Sequence, residues 1–136
     1  MDIIKKFGDI VGTESTKDSE KARKLLLTGY RLQEKRLQFF PDKKLPASGQ
    51  YVARVVMQNI IKALAKPENT AMVSIFVPGE LLTAAGLTPY SVEAMSCFIA
   101  GTRCEQTFLT RTEEEGFPET MCSYHRVFLG ASMTGL

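Results

Sequence analysis

A run of apolar and small residues from Ala71 to Val77, stopped by a proline, constrains the fold more than any other feature of the sequence. Within the run, Val73, Ile75 and Val77 are β-branched, as is common in strands. Nearly unbroken apolar runs of this length are typical of strands that are buried on both faces of a parallel sheet. The run therefore predicts such a strand near the middle of the chain.

The residues that follow the run predict a short helix. Proline has no N–H for a sheet ladder but suits the first helical turn, so Pro78-Gly79-Glu80 opens the helix and Gly86 closes it. The open backbone N–H groups at such a helix start lie where parallel-sheet proteins bind their ligands. Glu80, in the first turn, is a weak candidate for a catalytic residue, and its more ordinary role there is to stabilise the helix dipole.

Two amphipathic helices precede the apolar run. The first spans residues 17–40, with Asp18 or Ser19 as its candidate cap, and the second begins with Ser48 as cap and ends before Pro67. The apolar stripes are Ala22, Leu25, Leu26, Gly29 and Leu32 in the first helix, and Ala53, Val56, Met57, Ile60 and Leu64 in the second. The chain before them lacks a sustained period and predicts a frayed arm or a short helix.

The sequence after the short helix predicts one further strand and three helices. Thr88 to Val92 predicts a second strand beside the first, which completes a β-α-β step. Residues 93–100 and 103–115 predict two helices, the second of which has an acidic and therefore unfavourable carboxyl end. A turn at Gly116-Phe117-Pro118 then leads to a last helix that Cys122 opens.

Together these elements predict an α/β fold in two parts. Residues 1–66 form a helix-rich N-terminal region, and residues 67–136 begin an α/β domain with a partial, Rossmann-like parallel sheet. The chain ends in small and apolar residues, Ala131 to Leu136, at the point where such a domain would add its next strand. We therefore expect an α/β domain that is incomplete at its C-terminus, with an exposed sheet edge through which two copies could pair as a homodimer.

Composition and charge exclude several classes of protein. With 44% apolar and 24% charged residues the chain is typical of one globular domain. No apolar run is long enough to cross a bilayer and the start lacks the features of a signal peptide, so we expect no membrane partner and a cytoplasmic location. Residues 1–66 carry 14 Lys/Arg and 7 Asp/Glu, whereas residues 67–136 carry 3 and 8. Because the basic residues are spread along helix faces and not clustered with aromatic ones, we expect no nucleic-acid partner.

The chain has three cysteines, Cys97, Cys104 and Cys122. Three cysteines are too few for a disulfide framework and an odd number cannot all pair, so reduced thiols are expected. Their spacing matches neither a zinc ribbon nor a ferredoxin. Cys122 follows a proline-bearing turn at a helix start, where the helix dipole favours the deprotonated thiolate. A thiolate can act as a nucleophile or as a metal ligand. The alternative from spacing alone is a buried cysteine that acts as a small apolar residue.

The single histidine, His125, lies three residues after Cys122, close enough on a helix to share its face. Catalytic partners of cysteines usually converge from distant positions, and neighbours on one helical turn rarely align for proton transfer. A structural or solvent-facing histidine is therefore favoured. A Cys122/His125 hydrolase is the alternative, and it predicts rapid alkylation of the thiol that depends on His125.

Two segments, in order, carry a resemblance to a known family. They are Phe76-Val-Pro-Gly-Glu-Leu-Leu-Thr-Ala-Ala-Gly-Leu-Thr-Pro89 and Gly116-Phe-Pro-Glu-Thr-Met-Cys-Ser123. Over about residues 70–135 the chain resembles the 2-hydroxyacyl-CoA dehydratase and benzoyl-CoA reductase family, of the 2-hydroxyglutaryl-CoA dehydratase D-component type. Members open with a strand that leads into Pro-x-Glu, two apolar residues and x-Ala-x-Gly, and later reach an apolar-Pro-x-x-x-Cys turn. Residues 1–66 match no family pattern.

The resemblance implies a role for one cysteine. In the family, the cysteine after the proline turn is the first of three thiolates on one subunit that hold a [4Fe-4S] cluster, and Cys122 occupies that position. The other two ligands belong to later segments, whereas Cys97 and Cys104 precede the motif and receive no such role. Members run to several hundred residues, so the resemblance implies that this chain is an N-terminal portion that lacks the cluster and activity on its own.

The resemblance also implies a reaction and partners. In the family an ATP-dependent activator protein reduces the cluster, one electron passes to a 2-hydroxyacyl-CoA, and the resulting ketyl radical loses water. The implied partners are a second dehydratase subunit, that activator and a CoA thioester, and the implied enzyme is a lyase or a CoA-ester reductase of anaerobic metabolism. The alternative is a non-catalytic subunit-contact or activator-docking domain that keeps the fold without the cluster.

Overall fold

A computed structural model describes residues 2–136 and shows a helix-rich chain, 70% helical, with a small two-stranded parallel sheet. No helix within these residues is both long and apolar enough to cross a membrane. The elements, in order, are α1 (Ile3–Ser15), α2 (Ser19–Phe39), α3 (Ala47–Ala65), β1 (Thr70–Val73), α4 (Gly79–Ala84), β2 (Thr88–Ser91), α5 (Val92–Gly101), α6 (Glu105–Glu114) and α7 (Ser123–Thr134).

Of the first three helices, α2 begins at a predicted cap. Asp2 caps α1, and Asp18, one of the two predicted caps, accepts a hydrogen bond from the Lys21 N–H at 3.0 Å and caps α2. The prediction that Ser48 caps α3 is wrong, because Pro46 occupies the cap position and the helix begins one residue before the serine. Proline has no side-chain oxygen that could accept a hydrogen bond from the first N–H groups, so the helix starts without a side-chain cap.

The sheet consists of β1 and β2, which pair in parallel with Thr70 opposite Thr88 and Val73 opposite Ser91. The predicted second strand is therefore confirmed, and α4 forms the crossover between the two strands. Gly86 ends the crossover helix with a φ of +80°, a conformation that glycine adopts at little cost, and its N–H donates to the Thr83 carbonyl at 3.0 Å.

The first strand is shorter than the apolar run that predicted it. It ends at Val73, and the chain then turns, with the Val77 N–H donating to the Ser74 carbonyl at 3.0 Å. The side chains of Ile75, Phe76 and Val77 are 62%, 88% and 44% exposed, so the prediction of a strand to Val77 buried on both faces is wrong. A two-stranded sheet offers these residues neither a further strand nor a second layer to pack against.

One hydrophobic core includes residues from the first three helices and from α5 to α7. Its fully buried side chains include Val11, Leu26, Ile60, Ile99 and Phe108. Helices α6 and α7 approach closely because Gly130 lies against the backbone carbonyl of Phe108, where a Cβ atom would have no room. This packing fixes the start of α7 relative to α5 and the sheet.

The acidic carboxyl end of α6 is compensated by two arginines. The predicted helix over residues 103–115 is confirmed in part, because it begins at Glu105 and ends at Glu114. Arg111 contacts the Glu115 carboxylate at 2.5 Å, and the buried guanidinium of Arg126 on α7 pairs with Glu113. These pairs offset the unfavourable interaction of the carboxylates with the helix dipole.

Candidate functional site

The ends of both strands converge on one carboxylate. Glu93 lies in the first turn of α5, and its Oε2 accepts a hydrogen bond from the Ser91 hydroxyl at 2.6 Å and one from the Ile75 N–H at 3.3 Å. The Ser74 hydroxyl donates to Oε1 at 3.4 Å. Because Ser74 and Ile75 directly follow β1, this carboxylate joins the carboxyl ends of β1 and β2. Parallel α/β proteins bind their ligands at this edge of the sheet.

The Glu93 carboxylate is stabilised in its ionised form. The hydrogen bond from Ser91 is the main cause that lowers the pKa of Glu93 from its ordinary value, and backbone N–H groups of Glu93 and Ile75 and the nearby His125 add to it. The helix dipole also favours a negative charge in the first turn of α5. The site therefore contains a fixed negative charge at neutral pH.

Cys122 occupies the N-cap position of α7, and the predicted helix start is confirmed. Its carbonyl accepts the first intrahelical hydrogen bond, from the Arg126 N–H at 3.0 Å, and its thiol is free and exposed to solvent. The side chain of His125 is the main cause that lowers the pKa of the Cys122 thiol, followed by the backbone N–H groups of His125 and Tyr124. The alternative of a buried, inert cysteine is therefore wrong for this position.

His125 connects the thiol to the carboxylate. Its Nε2 lies 3.9 Å from Oε1 of Glu93, and its side chain is 48% exposed. The side chain is thus partly in solvent, and the structure adds a contact with Glu93 that the sequence did not suggest. Glu93, Cys122 and His125 together are called the sheet-end group below.

The other two cysteines have different surroundings. Cys97 is exposed on α5, and its thiol is the first cause that raises the pKa of Tyr124, which places it beside the start of α7. Cys104 is buried in the core, and burial raises the pKa of its thiol to about 12. All three thiols are free, as expected.

Glu80 lies in the first turn of α4 and is exposed. Its carboxylate takes part in no hydrogen bond or ion pair with any residue in the range 2–136, and the Pro78 N-cap makes no side-chain bond to α4. The structure therefore gives Glu80 no contact with the sheet-end group. Its position agrees with the simpler role of a carboxylate at a helix start.

The described residues contain few side chains that could bind a metal ion together. Cys122 offers one accessible sulfur whose deprotonation is favoured, which suits a soft metal such as iron. Among the described residues no three His, Cys, Asp or Glu side chains are grouped as metal ligands. The described residues therefore offer one accessible thiol with a lowered pKa, that of Cys122, and no complete ligand set for an iron–sulfur cluster.

Comparison with known proteins adds no relative. Neither the protein-family models nor the curated proteins match the sequence, and no solved structure matches the fold.

Proposed function

We propose that this chain belongs to the 2-hydroxyacyl-CoA dehydratase and benzoyl-CoA reductase family and that Cys122 supplies one thiolate ligand to its [4Fe-4S] cluster. The proposal includes the finer fold assignment, in which β1, α4 and β2 are the first β-α-β step of a Rossmann-like sheet that continues beyond these two strands. It also places the protein in the cytoplasm, where thiols stay reduced.

The main support for the proposal is the exposure and the lowered pKa of the Cys122 thiol. It is exposed, it caps α7, and the His125 side chain together with the first backbone N–H groups of the helix lowers its pKa. His125 also connects it to the Glu93 carboxylate at the carboxyl ends of the strands. A cysteine ligand needs access, a deprotonated sulfur and a fixed position, and these features favour all three.

The residues of the chain have separate roles in this proposal. Cys122 binds iron, and its backbone, as the start of α7, holds the sulfur in place. Glu93 ties the ends of the strands to α5 and places a negative charge 3.9 Å from the His125 ring. When bound, the cluster supplies single electrons for the elimination of water from a 2-hydroxyacyl-CoA, with an ATP-dependent activator and a second dehydratase subunit as partners.

The test is anaerobic reconstitution of the polypeptide encoded by the complete reading frame with ferrous iron and sulfide. The proposal expects broad visible absorption from thiolate-to-iron charge transfer, strongly reduced in Cys122→Ser and retained in the matched control Cys97→Ser. A reading frame that encodes no further cysteines, or equal absorption in both variants, would contradict it.

A second candidate function is favoured by the exposed apolar connection between β1 and α4. Ile75, Phe76, Val77 and Leu81 all present large apolar side chains to solvent there, and clustered exposure of this kind marks protein contact surfaces. In this alternative the domain is a non-catalytic subunit-contact or activator-docking module. It expects no iron-dependent absorption in the unaltered protein or in either variant, which distinguishes it from the first proposal.

A further inference from the structure

A large apolar groove is lined in part by the second half of α5. Its volume is about 820 Å³, within the range of small-molecule binding sites, and it is open to solvent. Residues of α1, α2 and α3 form the rest of its lining. Its mouth is surrounded by exposed apolar side chains, namely Ile3, Ile4, Leu32 and Val56.

Several of the polar groups that line the groove already have hydrogen-bond partners within the protein. The Tyr30 hydroxyl contacts the Phe98 carbonyl at 3.0 Å and the Thr102 hydroxyl at 2.9 Å, and the Thr28 hydroxyl donates to a backbone carbonyl of its own helix. Arg36 makes one long hydrogen bond, to the Gln33 side chain at 3.5 Å, and pairs with no carboxylate in residues 2–136. No Asp or Glu lines the groove.

This arrangement has the charge and polarity of a site for an amphipathic anion. An apolar chain in the groove would cover mainly apolar side chains, and the Thr28 and Tyr30 hydroxyls there already have hydrogen-bond partners. An anionic head at the Arg36 end would receive charge-assisted hydrogen bonds from a guanidinium that lacks an acidic partner among residues 2–136. A cationic head would be repelled by the guanidinium, and a neutral head would accept weaker hydrogen bonds than a carboxylate.

We propose that this groove binds the alkyl chain of a linear fatty carboxylate and that Arg36 binds the carboxylate group. The site is independent of Cys122 and of the proposed iron–sulfur function. Leu32, one turn before Arg36 on the same face of α2, also lines the groove and is 65% exposed.

Calorimetric titration of the full chain with sodium dodecanoate, kept below its micelle concentration, tests the proposal. Saturable binding of one equivalent is expected, and about threefold to fourfold loss of affinity for each methylene removed in shorter homologues. Arg36→Gln should weaken binding about tenfold because a charge-assisted bond is lost. The matched control Arg31→Gln removes an exposed cation of α2 that does not line the groove and should leave the affinity unchanged.

Leu32→Glu provides a second variant at an exposed position, where folding is not at risk. Its carboxylate would pair with Arg36 one turn away and repel the ligand, so binding should fall more than tenfold. Dodecyltrimethylammonium, with the same chain and the opposite charge, should bind at least tenfold more weakly than dodecanoate. Cys122→Ser should bind dodecanoate normally, which separates this proposal from the proposed function.

Three results would overturn the proposal. The first is the absence of saturable dodecanoate binding, and the second is equal affinity in Arg36→Gln and the unaltered protein. The third is a dimer in sedimentation experiments that Leu32→Glu dissociates and dodecanoate leaves intact, because a second copy of the chain would then occupy the groove.

Discussion

The His125 imidazole and the Glu93 carboxylate meet between the starts of α7 and α5, with Nε2 3.9 Å from Oε1. Through this contact a residue three positions after Cys122 is linked to the carboxylate that ties the ends of β1 and β2 together. Cys122 therefore lies near the carboxyl ends of the two strands as well as at the start of a helix.

Alkylation of Cys122 by iodoacetamide should be fast at a pH where ordinary thiols react slowly, a result that an iron ligand and a Cys122/His125 hydrolase share. Because the pKa of the thiol is lowered, the rate should reach half of its plateau below pH of about 8.5, the ordinary thiol value. His125→Gln removes the main cause and should move that midpoint upward. Peptide mass spectrometry of the metal-free protein measures the rate at each cysteine, with buried Cys104 as the slow internal reference.

The lowered pKa of Glu93 makes its contribution to stability dependent on pH. A carboxyl whose pKa is lower in the folded state stabilises the fold above its unfolded pKa of about 4.3, and this contribution is lost as the pH falls through the folded pKa. Glu93→Gln should therefore have a lower free energy of unfolding than the unaltered protein near neutral pH, and this difference should become smaller in acid. Urea unfolding at several pH values measures it. The control Glu119→Gln, at an exposed position, should show no such pH-dependent loss. A difference for Glu93→Gln that stays constant with pH would contradict this account.

Glu113 pairs with a buried cation, so its replacement should destabilise the protein more than replacement of its neighbour Glu114. Arg126 has a side chain only 7% exposed and pairs with Glu113, whereas Glu114 is 61% exposed and 3.7 Å from Arg111. Glu113→Gln should lower the free energy of unfolding by about 1–3 kcal/mol, because a buried guanidinium loses its counter-charge. Glu114→Gln should change it by less than about 0.5 kcal/mol. Equal effects in chemical denaturation would show that Arg126 does not depend on this pair.

Two buried tyrosines should respond in opposite ways to loss of the hydroxyl. The Tyr30 hydroxyl donates to the Phe98 carbonyl and also hydrogen-bonds with the Thr102 hydroxyl, so Tyr30→Phe should destabilise the protein by about 1–2 kcal/mol. The Tyr90 hydroxyl is buried and has no hydrogen-bond partner among residues 2–136, so Tyr90→Phe should leave stability unchanged or raise it by up to about 1 kcal/mol. Thermal unfolding of both variants measures the contrast, and a destabilised Tyr90→Phe would contradict it.

A pair of glycines tests the close packing of α6 against α7. Gly130→Ala places a methyl group against the Phe108 carbonyl and should cost about 1–3 kcal/mol of stability. Gly101 ends α5 with open space around it, so Gly101→Ala should be neutral or stabilise by up to about 1 kcal/mol. Comparable losses in the two variants, measured by denaturant unfolding, would show that this contact is not tight.

Local signals in the sequence predicted local structure well. Asp18, Gly86 and Cys122 act as a helix cap, a helix end and a helix start, as expected, because each role depends on a few neighbouring residues. The apolar stretch at residues 75–77 misled the prediction, since burial depends on strands and layers that composition does not report. Its departure from the sheet is instead set by a bond from the Ile75 N–H to Glu93.

Glu93 was not predicted as a site residue, because its role also depends on contacts between distant parts of the chain. Its closest signal was a serine cap two residues earlier, directly after a predicted parallel strand, which together mark a helix start at the ligand-binding edge. The contact with His125 spans more than thirty positions of the chain and could not be read from spacing on one helix. Only the packing of α5 beside α7 brings these residues together.

The central claim is that Cys122 binds iron, and the iron content after anaerobic reconstitution tests it most directly. The polypeptide from the complete reading frame would be loaded with ferrous iron and sulfide, freed of unbound metal by gel filtration, and assayed for iron per chain. The account predicts bound iron in the unaltered protein and in Cys97→Ser, and little or none in Cys122→Ser. As much iron in Cys122→Ser as in the unaltered protein would contradict it.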